Sequence, residues 1–128
     1  MAEIKINELS IGDWVMYRDR EWIVCSLYQF TEEVGLWRKD SQLCEYVAEI
    51  EPIPLTPKIL EKNGLCVVEE DADFSEYELF GSENFSIFHT KGTLRYRLET
   101  PQASVVCWCV HQLQHALRLA GIEKEIEV

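Results

Sequence analysis

Positive charge is what this chain has least of. Twelve Lys and Arg stand against 23 Asp and Glu, giving a net charge of −11 over 128 residues. The deficit is shared, with five basic against eleven acidic residues in 1–51 and seven against twelve in 52–128. Neither half offers the net basic face that binds a phosphate backbone, which argues against direct nucleic-acid binding. Long apolar runs are missing as well: no stretch approaches the roughly 20 residues needed to cross a bilayer, and the first residues lack a basic-then-apolar leader. The expectation is a cytoplasmic protein with no membrane association. The five cysteines, Cys25, Cys44, Cys66, Cys107 and Cys109, are odd in number and contain no C-x-x-C pair, which argues against a disulfide framework or zinc ribbon and for free, buried thiols. Six glycines are scattered singly, so there is no Gly-rich phosphate loop and no G-x-S-x-G nucleophile elbow. Internal repeats and low-complexity segments are absent too.

What is present suits an ordinary folded domain. Apolar residues make up 47% of the chain, far above the composition of a disordered one, and a chain of this length buries roughly two-thirds of its unfolded surface. The first fifty residues read as short strands. Trp14–Tyr17 and the run 21–28 are β-branched and aromatic and flank the charged turn Arg18, Asp19, Arg20, which predicts a hairpin. Runs 34–37 and 43–50 supply two more strands around a turn over 38–41. That many short strands in fifty residues predict a small, bent barrel of the Src-homology-3-like kind over 1–51.

Pro52, Pro54 and Pro57 then break regular structure and mark the boundary of an α+β unit over 52–128. Thr56 reads as an N-cap and Pro57 as the first helical residue, with Asn63 and Gly64 closing a helix over Pro57–Lys62. From residue 65 to 99 the pattern returns to strands. Phe85, Ile87 and His89 fall on one side of theirs, and Leu94, Tyr96 and Leu98 oppose Arg95 and Arg97, which predicts an antiparallel sheet with one wet face. A strand over 104–109 should pass into a helix over 110–120. In that helix Val110, Leu113, Leu117 and Ala120 form one stripe, His111, Gln114, His115 and Arg118 lie away from it, and Gly121 is the expected C′ residue. The two units are expected to pack as one compact domain.

Few constellations carry chemistry. His111 and His115 stand one helical turn apart, with Cys107 upstream, a spacing that zinc can use. The zincin pattern fails, because Gln112 stands where the general-base Glu would follow the first His, and no metal or cofactor is expected. Asp71 and Asp73 open like a calcium loop, but Glu76 holds the position that needs Gly and Ser82 the bidentate position. No spacing supports a Cys–His nucleophile from Cys25 or Cys66 with His89, so no catalytic residues are assigned and the chain reads as non-enzymatic.

Two features point to binding. Aromatics crowd the first half, where Trp14, Tyr17, Trp22 and Trp37 are candidates for partner contact. Acids crowd the second: Glu69, Glu70, Asp71, Asp73, Glu76, Glu78 and Glu83 lie in a span, 63–90, without a single Lys or Arg. Such a run steers a basic protein partner, up to the limit of mimicking nucleic acid on a DNA- or RNA-binding surface. A second reading, from another class, is a nucleotide or other small ligand held between barrel and sheet by His89, Arg95, Arg97, His111 and Gln114.

Three blocks carry a resemblance. Asn7-Glu8-Leu9-Ser10-Ile11-Gly12-Asp13-Trp14-Val15, Pro52-Ile53-Pro54-Leu55-Thr56-Pro57 with Gly64, and Val110-His111-Gln112-Leu113-Gln114-His115-Ala116-Leu117-Arg118-Leu119 are collinear and resemble a family of short proteins of Bacteroidetes genomes and their prophages. The resemblance implies a bacterial or phage-encoded cytoplasmic protein; the aromatic and acidic features add the expectation that it docks on a host or phage protein. The resemblance implies no activity and no catalytic residues.

Overall fold

The computed structural model describes residues 4–28, 30–38, 44–47, 49–79 and 84–128. The chain divides into two compact units, Met1–Ile53 and Pro54–Val128, each with an antiparallel sheet. The architecture is α+β.

In the first unit a single 3-10 turn, Ile6–Glu8, precedes β1 (Trp14–Tyr17), β2 (Arg20–Tyr28), β3 (Glu33–Trp37) and β4 (Cys44–Val47). These form a four-stranded meander in sequence order. Arg18 and Asp19 both take positive φ, as a two-residue type I′ hairpin demands, and Tyr17 pairs with Arg20 across the turn. Between Val24 and Ser26 the β2–β3 register shifts, leaving Cys25 as the extra residue of a bulge. Gly35 sits opposite that bulge, and a Cβ there would collide with the Ser26 hydroxyl. Val15, Trp22, Val24, Val34 and Leu36 alternate inward and, with Ile4, Leu9 and Ile50, make the core. After β4 the chain returns to the free edge of β1: Met16 and Glu51 exchange both backbone hydrogen bonds, at 2.8 and 2.9 Å. The expected turn over 38–41 extends into residues outside the described set, as do Leu43, Phe80 and Glu83.

The second unit opens on α1 (Pro57–Lys62). Thr56 Oγ1 accepts from the Ile59 N–H at 3.2 Å, Pro57 takes the first turn, and Gly64 reverses the chain at φ +84°. A five-stranded meander follows: β5 (Leu65–Glu70), β6 (Phe74–Leu79), β7 (Ser86–Thr90), β8 (Tyr96–Glu99) and β9 (Ser104–Cys107). Leu65, Tyr77, Ile87, Tyr96, Leu98 and Cys107 point to its dry face. Burial pushes the Tyr96 and Tyr77 phenols above their ordinary value, and for Tyr77 the carboxylates of Glu61 and Glu70 add to the effect. Leu94, expected on the buried side, is half exposed, because β8 begins only at Tyr96 and Leu94 stays in the turn.

The chain then enters α2 (Val110–Leu119), which buries Val110, Leu113 and Leu117 of its predicted stripe, whereas Ala120, the last of it, is the exposed C-cap because the helix ends one residue early. Gly121 at φ +77° closes a Schellman turn, with Ile122 N–H donating to Leu117 O and Gly121 N–H to Arg118 O. Beyond it, residues 122–128 run as an extended strap that pairs with no strand among the described residues. This strap corrects the reading of α2. His111 and Gln114, expected on a wet face, are 3% and 4% exposed. Gln114 is covered because its side-chain amide grips the strap, donating to Lys124 O at 2.9 Å and accepting from Ile126 N at 2.7 Å.

Candidate functional site

The two edges of the five-stranded sheet are built differently. Edge strand β5 carries Glu69 and Glu70 and a register shift between Val67 and Glu69, devices that blunt an edge against further pairing. Edge strand β9 carries Ser104, Val105, Val106 and Cys107, with no charge, no proline and no bulge, and it pairs in regular register with β8 alone among the strands. Just past its end, Pro54 bridges to Cys109 and Leu55 N–H donates to Trp108 O at 3.2 Å, so the open stretch is Ser104–Cys107. Val105, Val106, Trp108 and Leu119 are all exposed at this end of the unit, Leu119 at 89%.

Beside that edge a cleft of about 580 Å³ opens between β9 and α2. Leu98, Val105 and Cys107 form its sheet wall, and Gln112, His115, Ala116, Leu119 and Ala120 its helix wall. The helix residues fall at i, i+3, i+4, i+7 and i+8, a second stripe beside the core stripe. Thr100 and Gln102 complete the rim, and no lining residue carries a fixed charge. Burial pushes the Cys107 thiol up to about 12, so it stays protonated at neutral pH and is no nucleophile.

The acid run takes a different place. On the wet face, Glu69, Glu76, Phe88, Arg97 and Val106 form one cross-strand row spanning the sheet. Glu69, Glu70, Asp71, Phe74, Glu76, Phe88 and Arg97 line a groove of about 290 Å³. Pairing brings in cations that the linear run lacks. Lys91 meets Glu70 at 2.6 Å and donates to Asp71 O, while Arg97 stands 5.0 Å over the Phe88 ring and 2.6 Å from Glu99. Asp71 serves as a turn acceptor. Its Oδ1 takes the Asp73 and Phe74 N–H groups at 2.7 and 2.9 Å, which holds its carboxyl below the ordinary value.

The other singled-out residues do not converge. Trp22 belongs to the core, 6% exposed, with its Nε1 donating to Tyr17 O, so its ring offers no contact surface. Trp14 and Trp37 flank Ile23 in one cross-strand row and are half-buried, as is Tyr17. Among the described residues of this unit the fully exposed aromatic is Phe30, between β2 and β3. His89 stacks on Tyr96 at 4.2 Å, and its Nε2 lies 2.9 Å from Thr93 O. Arg97 faces away from His89 across the sheet, Arg95 is exposed in the turn before β8, and Gln114 is spent on the strap. His111 Nδ1 lies 3.4 Å from the Cys109 sulfur and its ring 5.8 Å from that of His115. Among the described residues no three His, Cys, Asp or Glu side chains gather closely enough to hold a metal ion. Cys25 and Cys66 are exposed rather than buried, whereas Cys107 and Cys109 are buried.

Sequence reasoning missed the cleft. Its available signal was Leu119, an apolar residue off the core stripe of α2 and seven positions after Gln112. No protein-family model matches the chain, and no curated protein or solved structure proved similar to it. Among the described residues no helix is long and apolar enough to cross a membrane.

Proposed function

We propose that this chain is a non-enzymatic protein-binding module whose docking surface is the open edge of β9 together with the apolar cleft under α2. The carrying observation is the contrast between the two sheet edges. An unpaired strand edge holds backbone donors and acceptors that a partner strand satisfies, and a neighbouring apolar cleft accepts one of its side chains; together they are the parts of strand addition. The acid groove serves steering. Its carboxylates lie on β5, β6 and the turn between them, three to four strand spacings from β9, roughly 14–19 Å, beyond the Debye length of about 8 Å at physiological salt. It therefore raises the encounter rate with a basic partner without opposing the uncharged contact at β9. The Src-homology-3-like reading of the first unit belongs to this proposal, and is supported by the return of Glu51 to the edge of β1.

The resemblance to Bacteroidetes and prophage proteins directs the search to host or phage proteins. The test is capture from a Bacteroidetes lysate by the wild-type chain and by Val105→Lys, which puts a charge on the open edge. A protein retained by wild type and released by Val105→Lys supports the docking edge. Equal retention by both refutes it.

A second reading rests on the cleft volume, which falls in the range of small-ligand pockets. With no Lys or Arg in its lining, the cleft suits a neutral, largely apolar ligand better than a nucleotide phosphate. A ligand at 100 times its dissociation constant stabilises by about 2.7 kcal/mol, so a thermal-shift screen of neutral compounds against nucleotides tests it directly.

A further inference from the structure

The strap over residues 122–128 is held as a bound peptide is held. Ile122, Lys124, Ile126 and Val128 turn inward and Glu123, Glu125 and Glu127 outward, the alternation of a strand, yet among the described residues no strand pairs with it. Two buried amides take the place of the missing neighbour. Gln114 both donates to Lys124 O and accepts from Ile126 N. Asn63, 5% exposed, donates to Glu127 O and accepts from Glu127 N, each at 2.7 Å. All four bonds go to backbone, so they read an extended chain and not a particular sequence.

Selectivity comes from the rest of the trough. Ile126 is an apolar anchor, 2% exposed. Cations line the rim: Lys62 donates to Val128 O at 2.6 Å and Arg118 pairs with Glu125 at 3.2 Å. The first part of the strap is packed less closely, since Gly121, Ile122, Glu123 and Lys124 border a cavity of about 490 Å³.

We propose that the trough between α1 and α2 is a recognition site for an extended acidic segment with an apolar anchor residue, contributed by another protein, and that residues 122–128 fill it in cis. The site is separate from the β9 edge. Tethering through Gly121 gives the strap an effective concentration on the order of millimolar, so an incoming segment competes only when it binds tightly or the strap is weakened.

The test uses the full chain and a fluorescent peptide of the sequence 121–128. Ile126→Asp removes the anchor and frees the trough, and the peptide should bind this variant at least tenfold more tightly than wild type. Adding Asn63→Ala to Ile126→Asp should abolish that binding. A natively folded Ile126→Asp chain that ignores the peptide at millimolar concentration overturns the proposal, as does equal affinity for both chains. Should Ile126→Asp not fold, hydrogen exchange on wild type decides. Excess peptide should accelerate exchange at the Ile126 and Glu127 amides, and unchanged exchange overturns the proposal.

Discussion

At the scale of single residues, environment sorts side chains that look alike in the sequence. Cys25 and Cys66 face solvent, whereas Cys107 and Cys109 lie in the core of the second unit. Alkylation with iodoacetamide at pH 8, read by mass spectrometry, should label Cys25 and Cys66 within minutes and Cys107 and Cys109 only with denaturant. The Cys107 thiol also sets a pH limit. Its folded value, pushed up by burial to about 12, exceeds that of the unfolded chain. Its contribution to stability is therefore full below the unfolded value near 9 and is lost as pH rises toward 12. Urea midpoints should fall across that window, and less so for Cys107→Ala. Asp71 shows the opposite sign. Two N–H donors hold its carboxyl below the ordinary value, so it supports the β5–β6 turn above about pH 4, and that support is lost as pH falls through the lowered value. A carbon-detected NMR titration should place its midpoint below that of a model peptide, and Asp71→Ala should loosen the turn amides.

At the scale of elements, local signals account for most boundaries. The Thr56 cap, Pro57 and Gly64 define α1 as expected, and Gly121 ends α2 through its Schellman turn. The strand leading into α2 stops at Cys107, two residues short of the expected end, because Cys109 already serves as the helix N-cap. The wet and dry faces of α2 were the failure. Periodicity records which residues are apolar, and buried polar residues such as Gln114 register as solvent-facing unless their partner is known. The partner is the strap, distant in the sequence pattern and contiguous in space. Removing the Gln114 clamp leaves the buried Ile126 N–H without its partner, a cost of about 1–3 kcal/mol, and removing the Asn63 clamp costs less because its bonds to Glu127 are part-buried. Asn63→Ala and Gln114→Leu should accordingly lower the urea midpoint with little change in slope.

At the scale of the whole molecule, the net charge of −11 works against the compact state through self-repulsion. Raising salt screens that repulsion. Scanning calorimetry between 50 and 500 mM NaCl should therefore show a rising Tm, and a falling Tm would mean that ion pairs such as Lys91–Glu70 outweigh it. The acid run shows what charge counting overlooks. Residues 63–90 contain no cation, yet pairing in register sets Lys91 beside Glu70 and brings Arg97 into the groove of Glu69 and Glu76.

Composition and local chemistry by themselves determined the α+β class, the break at the proline cluster, the α1 caps, the hairpin at Arg18 and Asp19, and the acidic character. Each of these depends on residues within a few positions of one another or on totals that folding leaves unchanged. Tertiary structure alone decided that β9 is the open edge, that Leu119 and Val105 share a cleft, that Trp22 is core, and that two amides hold the strap. Those outcomes depend on which strand is last in the sheet and on pairs such as Asn63 and Glu127, whose closeness is set by packing and not by spacing along the chain.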